Sequence, residues 1–383
     1  QQHIIQYHQF TADYRRTRLS HWMRNIISVA FLAVVVAFAL TLLISPEEPD
    51  YIAYHTGNNN NNKNAVRFVG GDHKTMLTGF WYFPNSNNNN ANTTTGGYPV
   101  ILLAHGMGLI QGKSLNSFVD AFQSAGYAVV TFDYATFGKS EGFPRHQICP
   151  QSHVADVQAA LSMIQKEGKK RGNVIDGTRI GLWGTSLGGG HVLMAAAAAT
   201  ADSSVRAVVS QVPALASGFE SVLGSLINTP VESTKGVVMV TLGLMKYYIY
   251  WRMSHKITYF PIVGPPGSAA LLQNPGDEQG YLGILNPAAD DTGWKNAATT
   301  NSALHLMFSR PLNTVANITV PVLLIAAEQD TLCPATYIQV AKERIPNAEI
   351  IIIPSAGHFD VYTGDELQIM LSAQVKFFNL HLN

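Results

Sequence analysis

The sequence predicts an α/β fold: a mostly parallel sheet with helices on both faces, a cap inserted into it, and one N-terminal transmembrane helix before it. Three observations predict it. From residue 98 onward, short apolar runs alternate with stretches of helical length, the pattern of strands buried by crossover helices on both faces. At 213–311 that alternation stops, and so long an interruption is more than an ordinary connection. Finally, 25–45 is a run of 21 residues without a charge. As a helix rising about 1.5 Å per residue it would span the roughly 30 Å hydrocarbon core of a bilayer.

Composition narrows the class. The 383 residues suffice for one large α/β domain or two smaller ones, and 46% apolar residues can build a sizeable core. Basic and acidic residues balance at 25 each, with no long basic block, which argues against nucleic acid as a partner. Cys149 and Cys333 are too few and too far apart for a disulfide framework or a zinc site. The sequence leaves open whether they pair.

Taken in order, residues 1–24 are polar and basic, with Arg15, Arg16, Arg18 and Arg24 against the single acid Asp13. Beyond the apolar run stands Pro46-Glu47-Glu48-Pro49-Asp50, a helix stop with acids. Arginines before and acids after predict a cytoplasmic tail at 1–24, a signal anchor at 25–45, and the remaining 46–383 on the lumenal or extracellular side. A cleaved signal peptide is the competing reading. The run exceeds the roughly 7–15 residues of such a segment and no small-x-small site ends it, which favours an uncleaved anchor. A buried core helix is disfavoured because no polar face interrupts the run.

Two asparagine-rich tracts, 58–64 and 85–92, read as loops extruded from the fold. Between them 76–83 reads as a strand of a leading antiparallel hairpin. Asn92-Thr93-Thr94 and Asn317-Ile318-Thr319 are glycosylation sequons, a weak three-residue signal. The alternating region then predicts strands at 100–104, 128–132, 179–183, 205–212, 320–327 and 349–353. Helices are expected at about 113–124, 152–166, 186–200, 335–344 and 366–382. The insertion 213–311 is rich in aromatics, among them Tyr247, Tyr248, Tyr259, Phe260, Tyr281 and Trp294. Ligands of open α/β sheets bind outside the carboxyl ends of the strands, so an insertion placed there is expected to act as a cap. The alternative is that it merely packs on one edge.

The chemistry centres on Gly184-Thr185-Ser186-Leu187-Gly188. Lying between an apolar strand run and an alanine-rich helix, it predicts a sharp turn that projects the Ser186 hydroxyl above the sheet. A serine nucleophile needs a base, and the base needs an acid to fix its tautomer. In this architecture the acid and then the histidine follow late strands. Asp330 follows the run ending at Ala327, and His358 follows the run ending at Ile353, so both are expected on the rim that carries Ser186. The oxyanion needs two main-chain N–H donors. Leu187, after the nucleophile, supplies one; Met107, in His105-Gly106-Met107-Gly108, supplies the other.

Other polar residues receive weaker expectations. Glu328 is an alternative acid but lies nearer its strand. His105 is expected to hydrogen-bond within its turn, His191 to pack on its helix, and Asp360 to brace the final loop. Cys333 lies close in sequence to Asp330 and is assigned no role. Asp133 and Asp156 are candidate ion-pair partners of Arg145 or Arg179.

With these residues the chain, from about 74 to 381, resembles the α/β-hydrolase superfamily. Several stretches are similar to a branch related to dienelactone hydrolases and X-prolyl peptidases. They are Phe132-Asp133-Tyr134 with Phe137-Gly138-Lys139-Ser140-Glu141-Gly142, then Val208-Val209-Ser210-Gln211-Val212-Pro213, and Gly357-His358-Phe359-Asp360. The resemblance implies an α/β-hydrolase fold and hydrolysis of an ester, thioester or amide, without metal or organic cofactor. It carries the nucleophile onto Ser186, the acid onto Asp330 and the base onto His358. The expected protein is a membrane-anchored serine hydrolase acting on a small-molecule or lipid ester. Alternatives are an acyltransferase using the same acyl-enzyme, and a non-catalytic binding module.

Overall fold

In the computed structural model, which describes residues 64–84, 97–170, 174–199, 204–218, 220, 230–254, 256–285 and 294–383, the apolar runs become one eight-stranded sheet. Strands β1 (Ala65–Val69) and β2 (Met76–Tyr82) form the leading antiparallel hairpin. β2 also pairs antiparallel with β4 (Ala128–Phe132). The remaining strands are parallel: β3 (Tyr98–Ala104), β5 (Ile175–Thr185), β6 (Val205–Gln211), β9 (Val322–Ala327) and β10 (Ala348–Ile353). The sheet order is β1-β2-β4-β3-β5-β6-β9-β10. Two short strands of the insertion, β7 (Tyr259–Phe260) and β8 (Ala298–Thr299), pair separately.

Register explains the two-sided core. Leu103, Trp183, Val209 and Leu323 lie across from one another in β3, β5, β6 and β9 and share one face. Leu102, Leu182, Val208 and Val322 form the adjacent row on the other face. Alternate residues of a strand point to opposite faces, so strands covered twice must be apolar throughout. β9, all six residues buried, is such a run.

The helices supply the covers. They are α1 (Gln111–Ser114), α2 (Asn116–Ser124), α3 (Pro150–Lys170), α4 (Leu187–Ala197), α5 (Pro230–Ser254), α6 (Asp277–Gly283), α7 (Ser302–Met307), α8 (Ala335–Arg344) and α9 (Gly364–Leu382). Helices α3, α4 and α8 bury Val157, Val192 and Ile338 against one face. Helices α2 and α9 bury Phe118, Phe122 and Phe378 against the other. Along α9, Leu367, Met370, Leu371, Gln374, Phe377 and Phe378 recur at helical spacing and are buried. Burial of one Leu or Phe side chain stabilises by about 1.5–3 kcal/mol.

Boundaries shift where turn chemistry intervenes. The expected helix at 113–124 is broken at Leu115 into α1 and α2. β5 begins at Ile175, ahead of the expected 179. Asp176 Oδ1 accepts the Thr178 N–H at 2.9 Å, and the register against β3 slips between Pro99 and Val100. That local turn disguises the start of the strand in sequence. Ser186 stands outside the helix expected at 186–200, which runs only over α4.

The membrane expectation is corrected. No helix among the described residues is long and apolar enough to cross a membrane. The 25-residue α5 carries Lys235, Lys246 and Arg252, and a lysine or arginine at the bilayer centre costs about 2.5–3.5 kcal/mol. The tail at 1–24 and the apolar run at 25–45 lie outside the described residues. So do residues 58–63 and 85–92 of the asparagine tracts, and the sequon at 92–94. The transmembrane helix, the membrane partner, the single-pass topology and the lumenal or extracellular placement are therefore not carried forward. The architecture that stands is a doubly covered α/β sheet with extra, cap-like secondary structure between β6 and β9.

Candidate active site

Parallel strands in register bring their carboxyl ends to one rim. Ser186 leaves β5 there with φ 56° and ψ −124°. This left-handed conformation is costly for a serine and persists only where neighbours over-determine it. Here Ser186 N–H donates to Gln211 O at 2.9 Å, and Ser186 O accepts from Ala214 N–H at 2.9 Å. The flanking glycines are a packing demand. A Cβ on Gly184 would stand 2.4 Å from Gly188 O, and a Cβ on Gly188 would stand 2.4 Å from the carbonyl oxygens of Ala104 and His105.

The turn after β9 carries Asp330 and the turn after β10 carries His358. Both side chains are buried. His358 Nδ1 lies 2.7 Å from Asp330 Oδ2, and His358 Nε2 lies 3.1 Å from Ser186 Oγ. A carboxylate only accepts, so the proton sits on Nδ1 and the Nε2 lone pair faces the serine hydroxyl. Asp330 is held in turn, its Oδ1 accepting the N–H groups of Leu332 at 2.8 Å and Cys333 at 2.7 Å. Asp360 Oδ2 accepts the Gly357 N–H at 2.7 Å and braces the histidine turn. The arrangement can therefore take a proton from Ser186 and return it to a leaving group.

The remaining sequence candidates separate from this centre. Glu328 Oε2 accepts the Ser355 N–H at 2.8 Å and does not meet the histidine. His105 Nδ1 lies 3.1 Å from Gly106 O, and burial pushes its imidazole down to about 4. His191 Nδ1 lies 3.2 Å from the Tyr134 hydroxyl, and burial, followed by the nearby His105, pushes it down to about 3. Asp133 and Asp156 accept main-chain N–H groups, from Gln111 and Lys139 and from Gly71 and Ala135 respectively. Burial raises both carboxyls to about 6. Arg179 pairs with Asp176 at 2.7 Å.

Cys149 and Cys333 are both free. Burial pushes the Cys333 thiol well up, with Asp330 and Asp277 adding to the effect and a hydrogen bond with Ser186 opposing it. Asp330, Cys333 and His358 present donor atoms within 4.8 Å of one another. A thiol held protonated is a poor metal ligand, and the other two groups already bind each other.

Met107, Ser186 and Leu187 line one cavity of about 340 Å³. Its other walls come from 214–218, from α5, from 267–275, from α7 with Ser309, and from the turn after Asp330. Three insertion residues near the rim received no specific role from the sequence. Asp277, buried at the start of α6, has its carboxyl raised to about 6 by burial, and both His358 and Asp330 lie within its field. Tyr281 donates to Met107 O, and Trp294 donates to Gly108 O. Only the aromatic enrichment of 213–311 hinted at the last two.

The alpha/beta hydrolase family model matches residues 101–367. This chain belongs to the alpha/beta hydrolase family. It is a serine-esterase-like hydrolase, as that match and the Ser186–His358–Asp330 geometry together show. Among curated relatives of this alpha/beta hydrolase, the quorum-quenching protein AidA of Acinetobacter baumannii is 32% identical over 280 residues. The match covers 73% of this chain and 85% of AidA. Thiohydrolase aneE of Aspergillus aculeatus is 22% identical over 285 residues, covering 73% of this chain and 84% of the relative. The crystal structure of the alpha/beta hydrolase GrgF from Penicillium sp. sh18 superposes with a TM-score of 0.63 at 22% identity. It covers 83% of this chain and 98% of GrgF, a likeness of fold.

Proposed function

We propose that this hydrolase cleaves esters or thioesters of a neutral, apolar acyl group through an acyl-enzyme on Ser186. The observation that carries the reading is the bridging imidazole, with Nδ1 on Asp330 and Nε2 on Ser186. Ser186 Oγ bonds to the acyl carbon as His358 Nε2 takes its proton. The tetrahedral oxyanion is held by the main-chain N–H groups of Met107 and Leu187. The C–O or C–S bond then breaks, and His358 protonates the leaving alcohol or thiol. Water attacks the acyl-enzyme, with His358 as base, and the carboxylic acid leaves.

The insertion 213–311 serves as the cap and shapes the acyl site. Val237, Val240 and Leu244 recur at helical spacing on α5 and line the cavity, as do Leu306 and Met307 of α7. Among the described residues no Asp, Glu, Lys or Arg lines it, so a charged acyl group would be desolvated without a partner. The name of the thiohydrolase relative supports inclusion of thioesters. Phe132-Asp133-Tyr134 and Gly357-His358-Phe359-Asp360 support placement in the branch related to dienelactone hydrolases and X-prolyl peptidases.

A fluorophosphonate probe tests the nucleophile. Wild type is expected to be labelled and Ser186→Ala to be blank. A folded wild type that takes no label would overturn the reading. A panel of p-nitrophenyl esters and acyl thioesters, with and without added alcohol, reports leaving group and acceptor by product analysis.

A further inference from the structure

We infer that the insertion holds the oxyanion loop in its working orientation through Tyr281 and Trp294, which act as positioning residues. The inference rests on the serine-hydrolase reading, with Met107 N–H as an oxyanion donor.

In the loop 105–108 the three successive carbonyls of Gly106, Met107 and Gly108 are each engaged. Gly106 O accepts from Leu109 N–H at 3.4 Å and lies 3.1 Å from His105 Nδ1. Met107 O accepts from the Tyr281 hydroxyl at 2.8 Å. Gly108 O accepts from Trp294 Nε1 at 3.1 Å. The first contacts are local to the loop. The other two come from residues 174 and 186 positions away, both inside 213–311.

The peptide unit is planar and trans, so its C=O and N–H point in opposite directions. Pinning the carbonyl of Met107 fixes one end of that residue, and the loop-internal bonds on Gly106 O fix the plane that carries Met107 N–H. With the planes on both sides of Met107 held, its N–H keeps one direction at the cavity that Met107 shares with Ser186. Pre-set donors of this kind lower the barrier because no reorganisation is needed as charge develops.

Tyr281 is also tied to the base. It is buried, its ring lies 6.3 Å from Phe359 in an edge contact, and Phe359 lies 5.0 Å from the His358 ring. One side chain of the insertion thus touches the oxyanion loop directly and reaches the histidine turn through one neighbour. Trp294 packs 6.2 Å from Tyr281 and completes the clamp. The insertion would then do more than enclose substrate: displacing it would release the donor loop and lower turnover even with Ser186 and His358 in place.

The test uses Tyr281→Phe, which deletes the hydroxyl and keeps the ring, and Trp294→Phe as a second variant. The readouts are kcat and KM on a short p-nitrophenyl ester, inhibition by an alkylboronic acid that forms a tetrahedral serine adduct, and binding of the product carboxylic acid. Active sites are counted by fluorophosphonate titration. Expected for each variant is a fall in kcat of roughly 10- to 100-fold, less than the 10²–10³ of deleting a donor outright. Boronate affinity should fall in parallel, with KM and product-acid affinity within about twofold. Unchanged kcat per titrated site in both variants would overturn the inference, as would a loss of product-acid binding equal to the loss of boronate binding. A wild type that fluorophosphonate leaves unlabelled defeats the serine-hydrolase reading and this inference with it. A labelled wild type with unimpaired variants defeats this inference alone.

Discussion

The indole Nε1 of Trp183 donates to Gln374 Oε1 at 2.8 Å, across 191 residues of sequence. The same amide donates through Nε2 to Gln211 Oε1 at 2.8 Å. Gln374 is completely buried and ties α9 to β5 and to Gln211 of β6, whose main-chain O accepts the Ser186 N–H. Gln374→Leu keeps the bulk but leaves the indole N–H of Trp183 and the side-chain Oε1 of Gln211 without these partners. Each buried group so stranded costs about 1–3 kcal/mol. A clear drop in the denaturant midpoint is expected, and an unchanged midpoint would show that the network contributes nothing.

Asp330→Asn tests the tautomer argument. The amide has nearly the same shape, but its NH₂ can face His358 and turn the imidazole so that Nε2 carries the proton. A fall in kcat of roughly 10³–10⁴ is expected with the fold intact. Circular dichroism alongside ester turnover separates this from unfolding. Activity near that of wild type would remove Asp330 from the proposed triad.

Val240→Trp tests the acyl wall. Extra bulk on the cavity face of α5 shortens the site without touching Ser186. Turnover of long-chain esters should fall at least roughly tenfold relative to acetate, since each methylene excluded is worth about 1–3 kcal/mol. A chain-length profile identical to wild type would place the acyl group elsewhere.

The buried histidines predict a pH dependence of stability. His191 and His105 are pushed down to about 3 and 4, mainly by burial, against about 6.5 in the unfolded chain. Their stabilising contribution is present above pH 6.5 and is lost as pH falls towards those values, because the unfolded state takes up protons first. Asp133, Asp156 and Asp277, raised to about 6 by burial, act in the opposite sense. Their contribution is full below about pH 4 and is lost as pH rises through 6. A difference measurement isolates the histidine. Between pH 4 and 6, the slope of unfolding free energy against pH should be lower in His191→Phe than in wild type by about 1.4 kcal/mol per pH unit, whatever the sign of the wild-type slope. Equal slopes would contradict the burial argument.

Much of this molecule was legible in one dimension because burial on both faces of a sheet forces a continuous apolar run. β9, Val322–Ala327, announces itself in that way, and Asp330 follows it; Ser186 follows β5, whose carboxyl-end residues are all buried. Where local turn chemistry overrode the pattern, as at Asp176 before β5 and Leu115 between α1 and α2, the boundaries moved. Hydropathy at 25–45 raised the expectation of a membrane span; no helix among the described residues is long and apolar enough to be one, and 25–45 lies outside those residues.

The sequence by itself determined the sheet, the sharp serine turn and the order in which Ser186, Asp330 and His358 follow their strands. These rest on period and spacing along the chain, which neighbouring residues impose. Only the tertiary structure decided what faces what: Tyr281 on Met107, Trp294 on Gly108, Gln374 between Trp183 and Gln211, and Val237, Val240 and Leu244 of α5 on the cavity that Ser186 lines. Those contacts join residues far apart in the chain. They depend on how whole elements pack, and no local pattern records that.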